Sequence, residues 1–300
     1  MPNVIAVSGA SGLVGSSLVT ALKASGHQVR PMVRKSGSNG SEEILWDLQR
    51  GIANPERLKG VDTVIHLAGE NIASGRWNTA IKERIRNSRV QGTRSLVNSL
   101  KAAESRPSTL VCASAVGFYG HRGDEVLTEA SPAGTGFLAD VCREWEAEAM
   151  KAEELGIRVV CVRIGVVLSR QGGALAKMLL PFKLGAGGIV GNGRQYWSWI
   201  GLTDLVRVLQ FCAETPSVRG PVNAVSPEAA TNYQFTKALG SVLHRPTIFP
   251  LPAFMAKLVL GEMADELLLA SIRVQPAALQ KAGFKFEAGD LKQCLEMELK

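Results

Sequence analysis

The 300-residue chain predicts an α/β fold, a doubly wound parallel sheet followed by a smaller, partly helical C-terminal lobe. Three observations predict it. Short β-branched runs alternate with helix-length segments through the first 170 residues, a glycine-spaced turn joins the first run to the first helical segment, and after residue 170 the alternation gives way to Gly-rich loops and Pro-bounded segments. The predicted strands are Val4–Val7, Gln28–Val33, Ile44–Trp46, Thr63–Leu67, Thr109–Ala113 and Arg158–Ile164. Most are near-continuous apolar runs, the mark of strands buried on both faces. Between them, Leu13–Ala24, Asn78–Lys101 and Ala139–Glu154 are long enough for crossover helices. In the second of these, Ile81, Ile85, Gly92, Leu96 and Leu100 form a stripe at helical spacing, while Lys82, Arg86 and Arg89 line another face. Beyond residue 170, helices are predicted at Asn232–Leu243, at Phe254–Leu269 and from near Thr203-Asp204. The expected division is a first domain over 1–170 and a smaller lobe over 171–300, with segments of the lobe returning to the sheet.

Composition narrows the function classes. With 46% hydrophobic and 20% charged residues the chain is an ordinary globular one, not a disordered one. Its longest apolar stretches are interrupted, at Arg158 and Arg163 in one case and at Pro250 and Pro252 in another, so none reaches a membrane span and no membrane partner is expected. Met1-Pro2-Asn3 leads straight into the first strand, so no targeting peptide and a cytoplasmic location are expected. Five dispersed cysteines without a Cys-x-x-Cys fit buried free thiols in a reducing compartment, and no metal site is assigned. The net charge of +7 is concentrated in the first hundred residues, which hold only Trp46 and Trp77 as aromatics. Basic residues without interleaved aromatics argue for a small polyanionic ligand or a solvated face, and no nucleic-acid partner is expected.

The chemical signal is Gly9-Ala10-Ser11-Gly12-Leu13-Val14-Gly15, placed after a strand and at the start of a helix. Gly9 permits the turn, Gly12 lets a pyrophosphate approach the backbone, and Gly15 lets helix and strand pack closely. The Leu13 and Val14 amides then point at phosphates from a helix N-terminus, with Ser11 beside them. This is a Rossmann-type dinucleotide site. At the end of the second strand, where an acid would hold the ribose hydroxyls of NAD, stand Arg34 and Lys35. Two cations suit a 2′-phosphate, so the expected cofactor is NADP(H).

With these residues the chain resembles the atypical, extended short-chain dehydrogenase/reductases, specifically the epimerase family proteins of the SDR39U type. The resemblance rests on Gly9–Gly15, Trp46-Asp47, His66-Leu67-Ala68-Gly69-Glu70, Arg76-Trp77, Ser88-Arg89, Ser114–Gly120, Trp145-Glu146, Leu179–Phe182 and Trp199-Ile200 with Asp204, and covers nearly the whole chain. It implies that Asp47 lies near the adenine and that Leu67, Ala68 and Gly69 line the adenine and ribose. It further implies that Val166 and Val167 pass the nicotinamide and that Arg89 contacts the cofactor.

Related enzymes use a Tyr and a Lys four residues later to move a proton, with a Ser polarising the substrate oxygen. The resemblance puts Leu138 and Cys142 at those two positions and Ser114-Ala115 at a serine pair, so the usual Tyr-x-x-x-Lys pair is missing. Tyr233 and Lys237 have the right spacing but fall in a second-lobe helix. The candidates for catalysis are therefore Tyr119 and Ser114. Tyr119 is read either as a proton donor or as a substrate-lining aromatic, and His121, Asp140 and Glu144 as surface groups. For the cluster Arg194–Trp199, two readings stand side by side: a loop over the substrate using Arg194 and Trp197, or tryptophans that fasten the lobe to the sheet. The resulting expectation is an NADP(H)-dependent oxidoreductase or epimerase-like protein acting on a small molecule. The alternative is a catalytically silent NADP(H)-binding sensor or partner-docking protein, which relatives linked to cell or plastid division make conceivable.

Overall fold

The computed structural model describes residues 3–35 and 42–300. Its strands are β1 (Val4–Ser8), β2 (Gln28–Val33), β3 (Ile44–Asp47), β4 (Gly51–Ile52), β5 (Thr63–His66), β6 (Thr109–Ala115), β7 (Val126–Leu127), β8 (Arg158–Ile164), β9 (Val166–Leu168), β10 (Tyr196–Trp197), β11 (Trp199–Gly201), β12 (Gly220–Ala224), β13 (Ala230–Thr231) and β14 (Arg273–Val274). The helices are α1 (Leu13–Ala24), α2 (Thr79–Ala102), α3 (Phe137–Met150), α4 (Gly173–Lys183), α5 (Leu202–Glu214), α6 (Asn232–Leu243), α7 (Ala253–Leu260), α8 (Glu262–Ala264), α9 (Ala277–Lys281) and α10 (Leu291–Leu299).

Eight strands form one sheet in the order β12-β8-β6-β5-β1-β2-β3-β4, parallel throughout except for β4, which turns back against β3. The chain winds outward from β1 in both directions, to β2 on one side and to β5 on the other. This reversal places a crevice at the C-terminal ends of β1 and β5, where sheets of this kind take their ligands.

The pleat assigns alternate side chains of each strand to opposite faces. Ile5 and Val7 of β1 join Val160 and Val162 of β8 under α1 and α5, which contribute Leu18, Leu22, Leu205 and Leu209. Ala6, Val64 and Leu110 face the other way, under Leu96 and Leu100 of α2 and Trp145 of α3. Each fully buried leucine here contributes roughly 1.5–3 kcal/mol of transfer free energy. The predicted crossover helices thus cover both faces. Asn78 caps α2 by accepting the Ile81 amide at 2.9 Å.

Residues beyond 170 follow two courses. β12 pairs with β8 and α5 lies on the sheet, while Leu175, Trp197, Trp199, Phe235 and Leu295 form a separate apolar cluster. Two predicted helices differ in extent. Phe254–Leu269 is split at Gly261, whose φ of +62° ends α7, and it finishes in a π turn over Asp265–Leu269. Ala139–Glu154 begins two residues earlier and tightens to a 3₁₀ turn after Met150. All five cysteines are buried and free. No helix among the described residues is long and apolar enough to cross a membrane.

Candidate functional site

The glycine turn has the shape its sequence implies. Gly9 takes φ +69°, and a Cβ there would press on the Leu67–Ala68 backbone. A Cβ on Gly15 would run into the Gly9 carbonyl, so helix and turn are in direct backbone contact. Gly12 differs, because a Cβ there would meet only the Gly9 oxygen, at 3.3 Å. It is exposed and serves as the N-cap of α1, with no side-chain cap and no acid in the first turn. The first amides of the helix, at Leu13, Val14 and Gly15, therefore lack a side-chain acceptor, with exposed Ser11 beside them. Bare amides and the positive end of the helix dipole make an anion seat at the crevice. A pyrophosphate fits this cradle.

The neighbouring strand ends contribute the rest. Arg34 and Lys35 follow β2, are exposed, and have no hydrogen bond or ion pair with the described residues. Asp47 ends β3, and its Oδ1 accepts the Gln49 and Arg50 amides at 2.9 Å each, bonds that hold its pKa below the usual carboxylate value. Past β5, the Leu67 and Ala68 amides donate to Ser8 Oγ at 3.1 and 3.3 Å, fixing that loop to the end of β1. Gly69 lies under Arg89, whose Cζ would be 3.3 Å from a Cβ there. Arg89 Nη1 donates to the Glu70 carbonyl at 3.1 Å, and its guanidinium lies over Trp145. The structure thus brings Gly9, Leu67, Ala68, Gly69 and Arg89 together. Val166 and Val167 follow β8, and the Val167 carbonyl and Leu13 both border Gly173 at the start of α4.

Ser8 Oγ also lies 2.7 Å from His66 Nδ1. Since that oxygen accepts two amides, its proton goes to Nδ1, which leaves the imidazole neutral with its hydrogen on Nε2. Burial lowers the His66 pKa to about 4 from 6.5. On acidification the unfolded chain binds this proton first, so the stability contribution is complete above pH 6.5 and is lost as pH falls towards 4. Between pH 7.5 and pH 5 the loss expected from this group is about 2 kcal/mol. Urea unfolding at both pH values should show it, and His66→Asn should flatten the dependence; an unchanged acid slope in the variant would count against the assignment.

At the ends of β6 and β8 the structure corrects the catalytic expectations. Ser114 is 3% exposed and donates to Glu146 Oε1 at 2.6 Å, so its hydroxyl is not offered to a substrate. Tyr119 is 0% exposed. Its phenol donates to Asn223 Oδ1 at 2.7 Å, accepts from Arg163 Nη1 at 2.9 Å and lies 3.0 Å from the Thr128 carbonyl. Burial pushes its pKa up. Tyr119 is therefore neither a proton donor at the crevice nor a substrate-lining aromatic, because Leu127, Val225 and Val274 pack around its ring while Arg163 and Asn223 take its phenol. Tyr119→Phe should lower stability by about 1–3 kcal/mol, since Asn223 and Arg163 lose a buried partner, and leave NADPH affinity unaltered in calorimetry.

The centre that sequence reasoning missed is the Arg163–Glu146 pair. Nε and Nη2 of Arg163 each donate to Glu146 at 2.8 Å, and the guanidinium stacks 3.5 Å from the centre of the Phe118 ring. The only available signal was an Arg inside an otherwise apolar strand. Leu138 is buried, and Cys142 is buried with its thiol pushed up to about 12, so neither supplies a base.

In the second lobe, Trp197 is 5% exposed, packs against Phe235 and donates its indole N–H to the Leu268 carbonyl at 3.3 Å. Of the two readings for Trp197, fastening the lobe is the one realised, and the substrate-contact expectation falls. The Gly185–Gly193 loop is packed too: Gly188 abuts the Phe249 backbone and Leu251 donates to the Ile189 carbonyl at 2.8 Å. Arg194 is exposed on a 460 Å³ hollow with Asp124, Tyr196, Thr231 and Tyr233. His121 is exposed, with Nδ1 accepting the Ser271 amide. Tyr233 and Lys237 lie exposed on α6, whose cap is Thr231, and Lys237 bonds Thr247 Oγ1 at 2.9 Å.

A doubly wound sheet with a glycine turn feeding a bare helix N-terminus at its switch point defines a Rossmann-fold protein of the short-chain dehydrogenase/reductase class. More narrowly, the chain belongs to the NAD dependent epimerase/dehydratase family, whose model matches residues 5–224, and within it to the SDR39U-type epimerase family proteins. A domain of unknown function, DUF1731, matches residues 251–297. The chain is 45% identical over 292 residues to Epimerase family protein Mb2239 of Mycobacterium bovis, covering 97% of this chain and 96% of the relative. It is 38% identical over 301 residues to the chloroplastic SDR39U1 homolog of Arabidopsis thaliana, covering 97% and 85%. The crystal structure of human epimerase family protein SDR39U1 with NADPH superposes with a TM-score of 0.88 at 32% identity, covering 98% of each chain.

Proposed function

We propose that the protein is an NADP(H)-dependent oxidoreductase or epimerase-like enzyme acting on a small molecule. The observation that carries the cofactor choice is the pair of exposed cations Arg34 and Lys35 at the end of β2, without a partner among the described residues, on the strand next to β1 and its glycine turn. The human relative crystallised with NADPH supports it. In this reading the amides of Leu13 and Val14 hold the pyrophosphate, Arg34 pairs with the 2′-phosphate, and the Ser8-anchored Leu67–Ala68 loop walls the adenosine half. Arg89, on α2, whose Nη2 has no hydrogen bond among the described residues, donates from beside that loop. The bound nicotinamide would exchange hydride with the substrate.

Proton transfer is the weak step. Ser114 and Tyr119 are sealed in protein, and Leu138 and Cys142 replace the relay, so the roughly 10²–10⁴-fold contribution of an acid–base pair is missing and turnover is slow. That same observation favours a second reading, a nucleotide-state sensor that docks a partner. Substrate-dependent NADPH consumption selects the first, and partner binding that switches with NADPH selects the second.

The cofactor choice is tested by titration calorimetry with NADPH and NADH. Wild type should prefer NADPH, and Arg34→Ala should narrow the gap by roughly 1.5–3 kcal/mol, the worth of a hydrogen bond to a charged group. Equal wild-type affinities for the two would sink it.

A further inference from the structure

The second lobe turns large apolar side chains to solvent on two neighbouring helices. Leu180 and Leu184 of α4 are 66% and 74% exposed, and Phe254 and Leu258 of α7 are 70% and 73% exposed. The inner side of α7 is marked by Ala256, which is buried, and by Leu260, which packs against the cluster of Trp77, Ile85, Leu138 and Met263. Phe254 and Leu258 stand two residues either side of Ala256, about 200° around the helix, so they form a crest pointing away from the molecule. The two helices are joined at the surface. Arg245 Nε donates to the Lys183 carbonyl and the Leu251 amide to the Ile189 carbonyl, each at 2.8 Å. Residues 245–251 therefore run beside 183–189, and between α4 and α7 they carry Ile248 and Phe249, 68% and 60% exposed.

The unpaired charges around this face are basic, because the acids that follow α7, Glu262 and Asp265, are held by Lys82 and Lys257. Residues 155–203 contain no acid and residues 215–261 contain only Glu228. Lys183 is exposed, with no partner for its ammonium among the described residues, and Arg245 is exposed and donates only to backbone carbonyls. Lys257, on α7 itself, pairs with Asp265.

We propose that this face docks on an anionic lipid bilayer, with the α7 crest in the acyl boundary and Lys183 and Arg245 against the headgroups. A convex apolar ridge suits a planar interface, whereas a soluble ligand needs a concavity to bury its surface. Monomeric proteins rarely expose so much contiguous apolar area without a use for it. A rim whose unpaired charges are Lys183 and Arg245 complements the negative surface potential of anionic lipid. The sequence expectation of no membrane partner rested on the lack of a long apolar span. A helix of eight residues lying flat in the interface needs none.

The test is sedimentation of the full chain with vesicles of phosphatidylcholine, with and without phosphatidylglycerol. Binding is expected to the anionic vesicles, weakened at least about tenfold by Phe254→Glu with Leu258→Glu and several-fold by Lys183→Glu with Arg245→Glu. Unchanged NADPH affinity in each variant shows that it is folded. No binding to anionic vesicles, equal binding to neutral ones, or equal binding by the Phe254/Leu258 variant overturns the proposal. A wild-type dimer in light scattering that the same variant dissolves, without vesicle binding, would assign the face to a second copy of the chain.

Discussion

Gly12→Val is expected to leave the protein folded and to weaken NADPH binding by at least about a hundredfold, close to 3 kcal/mol. Both halves follow from the same geometry. The Gly12 backbone has φ −77° and ψ 171°, a conformation open to any residue, and the only atom near a new Cβ is the Gly9 oxygen at 3.3 Å. Valine is therefore accommodated with a shift of a few tenths of an ångström at the Gly9 carbonyl, while its added bulk is expected in front of the Leu13 and Val14 amides, where a phosphate must come. Gly15→Ala is the informative contrast, because its methyl would collide with the Gly9 carbonyl and force the turn itself apart. The measurement is calorimetric titration with NADPH alongside a thermal melt. A folded Gly12→Val variant that binds NADPH like wild type would remove the phosphate seat from this loop.

Glu146→Ala should cost the fold about 3–5 kcal/mol, the penalty for leaving one half of a buried ion pair alone. Side-chain exposure is 4% for Arg163 and 11% for Glu146, so water cannot take over the lost carboxylate. The Ser114 hydroxyl and the Nε and Nη2 groups of Arg163 lose their acceptor together. Glu146→Gln keeps the shape and one acceptor oxygen, and should fall between wild type and the alanine variant. Urea denaturation reads the effect, and a loss below about 1 kcal/mol for Glu146→Ala would show that the pair is solvated after all.

Patterns confined to one segment were legible in the sequence. Six central strands appear within two residues of their predicted ends because apolar runs and their boundaries are local features. The glycine turn was readable for the same reason, since strand, turn and helix lie within Val4–Ala24. What escaped was pairing between distant segments. Tyr119 sits after a strand at the ligand-binding edge, which suggests an active-site group, and only the fold shows that Asn223 and Arg163 meet its phenol. Arg158 and Arg163 looked like interruptions of an apolar strand. In the folded protein Arg158 gathers the Cys212, Ala213 and Val218 carbonyls at the end of α5, and Arg163 holds Glu146. Trp197 was undecided because an aromatic after a glycine-rich loop suits a lid and a core equally, and the Leu268 carbonyl that fixes it lies in another part of the lobe. His66, inside a motif that was noticed, gave no sign of its burial beside Ser8 and Trp46.

The place of β12 at the edge of the sheet has a consequence for how the chain is made. β8 is apolar on both faces from Val159 to Val162 and is complete by residue 164, but the strand that covers its open edge is not reached until residues 220–224, after α4 and α5. A chain emerging from N- to C-terminus therefore carries an unpaired, strongly β-forming edge while the next elements are still being added, and the pairing that closes it spans a long loop. The intervening lobe sets the interval over which that edge can find a wrong partner. Residue 170 is consequently a boundary in sequence pattern but not in folding: a fragment ending there would keep the phosphate turn and expose the adhesive edge of β8.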